Sequence, residues 1–390
     1  MTQKLFYEDS FMKTFSAQVL ECCPDEDGYQ IVLDRTAFFP EGGGQYADRG
    51  HLNQICVTDV QEKDGKIYHK TKEAIEPGTC VEGEIDWAER FMKMQQHSGE
   101  HIVSGLVHER FHYKNVGFHL GSENCTMDFD GELTKEELHE IELCANEAVF
   151  QNLEVQILYP SDKELAAMEY RSKIEIEGQV RIVVVPGYDV CACCAPHVKR
   201  TGEIGLIKLT NVQRYKGGVR VTMLCGSRAL RDYDRKLTAA KQIGAALCAK
   251  EDETAEAVAH LQEECAQLKQ KLHKQQLELL KYKVKEIADD EEFICLFEEE
   301  LEGEAPRLLM NQVLDRGHAL CAVFCGGKEG AYRYVIGSRV FSLRELVREL
   351  NAEFGGRGGG KPEMVQGTLR GKEEELRAWI QKKARMLRDE

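Results

Sequence analysis

The sequence predicts a mixed α+β protein of four successive parts. Residues 1–85 alternate apolar and polar side chains in short runs, and residues 86–229 combine helical patterns with strands. Residues 230–288 lack proline and are rich in helix-forming residues, and residues 289–390 return to a mixed pattern. We therefore expect a β-barrel-like domain, an α+β domain, a long helical spacer and a C-terminal α/β domain.

The first part has the pattern of a small β-barrel. Turn residues at Asp27-Gly28 and Asp64-Gly65 separate the alternating runs. Those runs predict strands over Phe15 to Leu20, Gln30 to Leu33, Ile55 to Val60 and Lys66 to His69.

The second part opens with a helix. From Asp86 to Arg110 the apolar residues recur at helical spacing, and Thr134 with Glu137 forms a capping-box pattern before a second helix. Strands are then expected over Val155 to Leu158, Arg181 to Val185 and Gly205 to Leu209.

The third part predicts a coiled coil or a long helical hairpin. A three-four apolar spacing, interrupted by Gln275, passes through Val258, Leu261, Cys265, Leu268, Leu272 and Leu279. Such a seam predicts a homodimer formed through this segment or the C-terminal domain. In the fourth part we expect strands over Phe293 to Phe297, Ala319 to Phe324 and Tyr332 to Ile336, with helices over Leu343 to Glu353 and Glu373 to Arg388.

Composition narrows the classes of function. The fifteen cysteines are scattered along the chain, which is typical of free thiols in a reducing compartment. The sequence has neither a targeting signal nor an apolar run long enough for a bilayer, so we expect a cytoplasmic protein without membrane partners. The net charge of −16 argues against indiscriminate nucleic-acid binding, so an RNA partner requires a local basic surface.

Two short motifs predict a metal site. His97 and His101 stand four residues apart, so on a helix both imidazoles leave the same face. Cys193 and His197 repeat this spacing, and one thiolate with three imidazoles is a ligand set suited to Zn²⁺. Two independent chelating pairs in a chain without secretory context favour a metal site over chance.

Alternatives remain for each motif. The histidines could simply pack in a helix, and the cysteines could be ordinary buried thiols. Cys191 and Cys194 compete with Cys193 as the sulfur ligand, although only Cys193 stands four residues before His197.

Two glycine runs supply bare backbone. Gly42, Gly43 and Gly44 lack the lysine of a phosphate-binding P-loop, and their exposed N–H groups would let a ligand approach closely. A flexible turn is the alternative. The second run, residues 355–361, embeds Arg357 and Lys361, a combination that suits an RNA backbone or terminal nucleotide.

These motifs together resemble the alanyl-tRNA editing proteins, the freestanding relatives of the editing half of alanyl-tRNA synthetase. The resemblance is to the long type with a C-terminal DHH-associated domain and spans nearly the whole chain. It rests on Thr36-Ala-Phe-Phe-Pro-Glu-Gly-Gly-Gly-Gln45, His97 to His101, Cys193 to His197 followed by Thr201-Gly-Glu-Ile-Gly205, and Gly355-Gly-Arg-Gly-Gly-Gly-Lys361. Nothing resembles the ATP-dependent aminoacylation domain, so editing without charging is implied.

The resemblance implies hydrolysis of the ester that joins serine, and secondarily glycine, to tRNA(Ala). An alanine pocket cannot strongly reject an isostere that merely adds a hydroxyl, so a second site must recognise that hydroxyl. By resemblance Thr36 contacts the serine hydroxyl, while Gln45 and the amides of Gly42, Gly43 and Gly44 form the pocket wall. His119 is expected near the substrate end, and Arg357 and Lys361 are expected to contact tRNA.

The role of the metal stays open at this stage. Three protein ligands plus water would activate that water, whereas four protein ligands favour a structural or substrate-anchoring ion. Glu100 is either a base for water or a solvated capping charge. The family's usual Cys-Gly-Gly-Thr-His is Cys-Cys-Ala-Pro-His here, which keeps the ligand spacing but removes the threonine.

Two rival functions use the same residues. His97-Ser-Gly-Glu-His101 also fits an inverted zinc-protease motif, which requires a carboxylate ligand on a later helix and gives Cys193 no role. The other rival is a non-catalytic RNA-binding module with structural zinc.

Overall fold

A computed structural model describes residues 1–172 and 179–389. The chain divides into two compact units, Met1–Gln242 and Ile243–Glu390, and each is described by itself. The four-part division predicted from the sequence stays a prediction. The mixed α+β class is confirmed.

The N-terminal region contains a closed six-stranded barrel. A short parallel pair, β1 (Gln3–Lys4) with β4 (Arg35–Thr36), and helix α1 (Leu5–Glu8) lie outside the barrel sheet. The barrel order is β2-β3-β7-β6-β5-β8, and its strands are β2 (Thr14–Asp25), β3 (Gly28–Leu33), β5 (Gly50–Leu52), β6 (Ile55–Lys63), β7 (Lys66–Thr71) and β8 (Cys80–Ile85). Alternate residues are buried along much of β2 and throughout β7 and β8, and Phe38 and Phe39 from the loop after β4 complete the core.

Helix α2 (Trp87–Phe111) is the central element of the rest of this unit. The Asp86 side chain caps it by accepting from the backbone N–H of Glu89, and His112 in the left-handed conformation ends it. Two buried glycines let other segments approach it closely. A Cβ at Gly105 would lie 2.0 Å from the Tyr188 carbonyl oxygen, and one at Gly99 would lie 2.4 Å from Cys225 Sγ.

The remaining elements pack around α2 and α3 (Lys135–Gln151), whose Thr134–Glu137 capping box is confirmed. A four-stranded antiparallel sheet has the order β14-β15-β10-β9, and a three-stranded sheet has the order β11-β12-β13. The strands are β9 (Asn115–Leu120), β10 (Cys125–Phe129), β11 (Gln156–Leu158), β12 (Ile182–Val185), β13 (Asp189–Ala192), β14 (Ile207–Tyr215) and β15 (Gly218–Cys225). Helix α4 (Asp162–Ala166) and a 3₁₀ turn (Thr201–Ile204) connect them.

Two long helices follow. Helix α5 (Gly226–Leu247) contains the division between the units, and α6 (Thr254–Glu286) begins after a 3₁₀ turn at Glu251–Glu253. The C-terminal sheet has the order β16-β17-β18-β20-β19. Its elements are β16 (Phe293–Glu298), α7 (Ala305–Asp315), β17 (Leu320–Gly326), a 3₁₀ turn (Lys328–Gly330), β18 (Ala331–Ser338), α8 (Arg344–Glu353), β19 (Arg357–Lys361), β20 (Met364–Arg370) and α9 (Glu373–Asp389).

The C-terminal sheet is covered on both faces. The end of α6 and helix α7 bury Val284 and Leu309 against one face, while α8 and α9 bury Leu350 and Ile380 against the other. Helix α7 and strands β19 and β20 were not predicted from the sequence. Within residues 1–172 and 179–389, no helix is both long enough and apolar enough to cross a bilayer.

Candidate metal centre and adjoining cleft

The structure brings the four predicted ligands together. Ligand atoms of His97, His101, Cys193 and His197 all lie within 4.8 Å of one another. The Nε2 atoms of His97 and His197 are each 3.4 Å from Cys193 Sγ. Zinc bonds of about 2.3 Å to sulfur and 2.0 Å to nitrogen, at a tetrahedral angle, place these atoms about 3.5 Å apart. The geometry therefore fits a tetrahedral metal ion.

Each imidazole has a second residue at its other nitrogen. His97 Nδ1 lies 3.0 Å from Gln45 Oε1, and His197 Nδ1 lies 3.0 Å from the Ser98 hydroxyl. His101 Nδ1 lies 2.9 Å from Asp189 Oδ2, although the N–H direction is off the ideal hydrogen-bond line. Such outer contacts fix the ring orientation and leave Nε2 for a metal.

Geometry and protonation distinguish the competing thiols. Burial by itself raises the pKa of Cys193, but the imidazoles of His97, His197 and His101 outweigh it and hold that pKa well below its usual value. Burial raises the pKa of Cys191 to about 11, and Cys191 groups with His101 and Asp189 instead of joining the four-residue set. Cys193 is thus the favoured thiolate ligand.

The Asp189 carboxylate is held by Arg171. It accepts two hydrogen bonds from Arg171, at 2.7 Å from Nε and 2.9 Å from Nη2, in addition to the His101 contact. A carboxylate with these partners serves better as an orienting group than as a metal ligand. The close approach at Gly105 brings β13 to α2 and so places Asp189 beside His101.

Glu100 is not a solvated charge. It is only 1% exposed, and its Oε1 accepts from the Ser104 hydroxyl at 2.7 Å and from the Asn115 amide at 2.6 Å. Its Oε2 lies 3.9 Å from His101 Nε2. Burial beside a ligand excludes the capping-charge interpretation.

The first glycine run packs against the cluster. Gly43 and Gly44 adopt positive φ angles of 60° and 81°, which favour glycine. A Cβ at Gly43 would lie 3.3 Å from Cys194 Sγ, and one at Gly44 would lie 2.5 Å from the Phe118 carbonyl oxygen. The turn presents Gln45 to His97, and the side-chain nitrogen of Gln45 is buried without a hydrogen-bond partner among the described residues.

A cleft of about 430 Å³ adjoins the glycine run. It is lined by Glu41, Gly42, Gly44, Gln45, Tyr46, Arg49, Glu89, His119, Leu120, Gly121 and Ser122. The predicted residues Gly42, Gly44, Gln45 and His119 therefore share one cavity wall, and its size is typical of ligand sites.

Thr36 lies inside the protein. It is completely buried, its hydroxyl donates to His69 Nε2 at 2.8 Å, and it accepts from the backbone N–H of Phe38 at 3.1 Å. The direction of the first bond follows from His69 Nδ1, which donates to the Ile31 carbonyl at 3.0 Å. Its serine-contacting role stays a prediction.

Arg357 and Lys361 lie on the exposed edge strand β19. Because they are four residues apart in a strand, both point to the same face. The register places Arg333 of β18 and Arg357 on either side of Thr368, so a third cation joins that face.

Three family models match the chain. They are described as "Threonyl and Alanyl tRNA synthetase second additional domain" at residues 180–222, "tRNA synthetases class II (A)" at 3–89 and "DHHA1 domain" at 265–387. The second match makes residues 3–89 similar to a segment of the class II synthetases, in keeping with the predicted resemblance to the editing half of alanyl-tRNA synthetase. The third confirms the DHH-associated C-terminal domain and begins within α6.

Two relatives match along their full length. Alanyl-tRNA editing protein AlaX-L of Pyrococcus horikoshii is 28% identical over 96% of this chain and 96% of its own length. Alanyl-tRNA editing protein Aarsd1 of Rattus norvegicus is 28% identical over 97% of both chains. This chain is a homologue of the alanyl-tRNA editing proteins.

This chain also matches longer proteins. Alanine–tRNA ligase of Pyrococcus furiosus is 31% identical over 95% of this chain, which spans only 42% of that ligase.

Sequence reasoning about this editing-protein homologue missed several site residues. Ser98 lies between the two histidines of the first motif, and Asp189 stands four residues before Cys193. Their positions beside ligands were the available signal. Tyr46 follows Gln45 directly and Arg49 stands four residues after Gln45, but nothing in their spacing indicates a cleft.

Proposed function

We propose that this protein is a trans-editing deacylase that hydrolyses Ser-tRNA(Ala), and secondarily Gly-tRNA(Ala), without charging tRNA. The observation that carries the proposal is the clustering of His97, His101, Cys193 and His197 beside the glycine run. The names of the full-length relatives support the same activity. We place it in the cytoplasm.

The four ligands suit Zn²⁺, which when bound would polarise the ester or a water molecule. Around it, Gln45 and Asp189 orient the imidazoles, and Glu100 is the base for water because its Oε2 lies 3.9 Å from His101 Nε2. Gly42 and Gly44 line the pocket, Gly43 lies between them, and His119 lies at the substrate end. The backbone N–H groups of Gly43 and Gly44 are assigned to the substrate, whereas that of Gly42 donates to the Gln45 carbonyl. Thr36 is assigned to discrimination of the serine hydroxyl.

The structure favours editing over the protease alternative. An inverted protease motif leaves Cys193 and His197 unused, yet both lie beside His97 and His101. The carboxylate of Asp189, which also lies beside His101, is held by Arg171. The non-catalytic alternative predicts no turnover.

We assign residues 1–85 and 86–229 to the editing core, 230–288 to a spacer and 289–390 to tRNA binding through Arg357 and Lys361. The spacer also supports a homodimer, because Leu261, Leu268, Leu272 and Leu279 are each more than half exposed along α6. A monomer mass at working concentration in solution scattering would contradict the dimer.

The deciding experiment compares purified protein with buffer on Ser-tRNA(Ala) and Ala-tRNA(Ala). We expect the serine ester to be hydrolysed at least about a hundredfold faster than the alanine ester, because a buried polar site is left unpaired by alanine. Equal rates of Ser-tRNA(Ala) hydrolysis with protein and with buffer would refute the proposed deacylase activity.

A further inference from the structure

We propose that the cleft beside the metal centre binds the 3′-terminal nucleotide of an RNA acceptor end, with Tyr46 stacking on the base and Arg49 meeting the phosphate. The proposal rests on the proposed function and names residues that neither the motifs nor the relatives assign.

Tyr46 is built as a rigid platform. Lys93 is fully buried and its Nζ lies 3.9 Å from the centroid of the Tyr46 ring. The same ammonium donates at 2.6 Å to the carbonyl of Ala47, the next residue in the chain. One ring face is therefore held from inside, while Tyr46 lines the cleft. Aromatic rings with a fixed orientation are the usual stacking surface for single-stranded bases.

Positive charge in and behind the cleft wall favours a phosphate. Arg49 lines the cleft and is exposed. Arg228 is 6% exposed and donates to the carbonyls of Gly121 and Ser122, two residues of the wall, while its Nη1 is buried without a partner. Within the described ranges neither guanidinium has a carboxylate at ion-pair distance.

The acidic residues of the wall cancel only part of this charge. Glu89 lies 3.5 Å from Lys93 Nζ and is paired with that cation, whereas Glu41 accepts from the neutral side chain of Gln61 at 2.9 Å and keeps its charge. The two guanidinium groups of Arg49 and Arg228 therefore outnumber the one wall carboxylate that lacks a cationic partner. A buried guanidinium that lacks an anion is costly, and a bound phosphate nearby offsets part of that cost.

The position of the cleft fixes which nucleotide it takes. Gln45 lines the cleft and also contacts His97, a predicted metal ligand. Only the nucleotide that carries the ester can lie this close to the hydrolytic centre. The flanking His119 and the backbone of Gly42 and Gly44 then face its ribose and phosphate.

The test measures binding of a labelled RNA hairpin that ends in single-stranded CCA, and of the same hairpin without the terminal adenosine. We expect the full-length protein to prefer the complete end about tenfold, and Tyr46→Ala to lose both that affinity and that preference. Tyr46→Phe should retain them. Arg49→Gln should weaken binding severalfold and lower the salt slope by about one. Arg214→Gln, at an 87% exposed position outside the cleft, is the matched control and should change nothing.

Metal content and the unfolding midpoint of each variant show that the fold is intact, and Tyr46→Leu replaces Tyr46→Ala if the latter unfolds. The proposal is overturned if folded Tyr46→Ala or Tyr46→Leu discriminates between the hairpins like the wild type. It is also overturned if adenosine monophosphate competes as strongly as the CCA hairpin, which indicates a free-nucleotide site.

The two proposals fail separately. A wild type that hydrolyses Ser-tRNA(Ala) with an unchanged KM in Tyr46→Ala refutes the nucleotide site alone. A wild type with Tyr46-dependent hairpin binding and no hydrolysis refutes the deacylase alone.

Discussion

The two glycine runs have similar composition and opposite structures. Gly42 to Gly44 form a tight turn with left-handed residues packed against Phe118 and Cys194, whereas Gly355 to Gly360 lead into the extended, exposed edge strand β19. The first run is held by its neighbours on the turn, and in the second run a Cβ at Gly356, Gly358 or Gly360 would also meet a neighbour within 2.5 Å. The second run differs because Gly359 and the flanking cations stay uncovered, so glycine marks close backbone approach in both places and an accessible surface only in the second.

The largest expected effect is the loss of metal binding and activity when the predicted sulfur ligand beside the first run, Cys193, is removed. Cys193→Ser should abolish tight metal binding and reduce deacylation on the order of 10³-fold, because the thiolate is the one anionic ligand of the four. Elemental analysis and single-turnover kinetics measure both. Cys194→Ser is the control, and comparable metal loss in that variant would reassign the ligand.

Acidification tests the buried pair of Thr36 and His69 in the barrel, in the same unit as the first run. Burial lowers the pKa of His69 to about 4, below its usual value near 6.5. Between pH 6.5 and 4 the unfolded chain therefore binds a proton that the folded chain does not, so this group costs about 3 kcal/mol of stability as the pH falls. Chemical denaturation across this range should show a shallower loss in His69→Gln, and parallel curves for both proteins would contradict the buried neutral imidazole.

A pair of alanine substitutions compares the runs directly. Gly44→Ala should destabilise the protein by about 2–3 kcal/mol, since a Cβ there meets the Phe118 carbonyl oxygen at a positive φ. Gly359→Ala should stay within about 0.5 kcal/mol, because nothing lies within 4 Å of its Cβ position. Equal losses in urea unfolding would mean that the contrast between the runs is wrong.

The orientation of His101 is the next target. Asp189→Asn keeps the shape of the side chain but removes the charge beside Nδ1, so metal affinity should fall about 10–100-fold. Competition with a chromophoric chelator measures it, with Asp128→Asn, whose partner is Arg220, as a control outside the centre. An unchanged dissociation constant would show that the Asp189 contact has no effect on the ligand.

The smallest effect is expected from the exposed run. Neutralising Arg357 and Lys361 together should weaken tRNA binding and lower its salt slope by about two, while metal content stays constant. Lys372→Gln, an exposed residue beyond β20, is the matched control. A slope identical to that of the wild type would remove these residues from the tRNA interface.

Local patterns along the chain predicted many of the element types and a candidate ligand set. Periodicity and caps set both ends of α2 and the start of α3 almost to the residue, because those signals are local. The four-residue spacings at His97 and Cys193 indicated a chelating set without any knowledge of the fold. Helix α7 and the hairpin of β19 and β20 were missed, because a glycine-rich strand carries no alternating pattern of its own.

The groups that surround these candidate ligands depend on the tertiary structure. Asp189 reaches His101 because Gly105 admits the Tyr188 carbonyl, and Glu100 is buried because Ser104 and Asn115 satisfy its carboxylate. Tyr46 and Arg228 are 182 positions apart in sequence, yet the Arg228 guanidinium opposes the rise in the pKa of Tyr46 that burial causes. Burial and polar partners depend on contacts between distant segments, and no pattern along the chain encodes them.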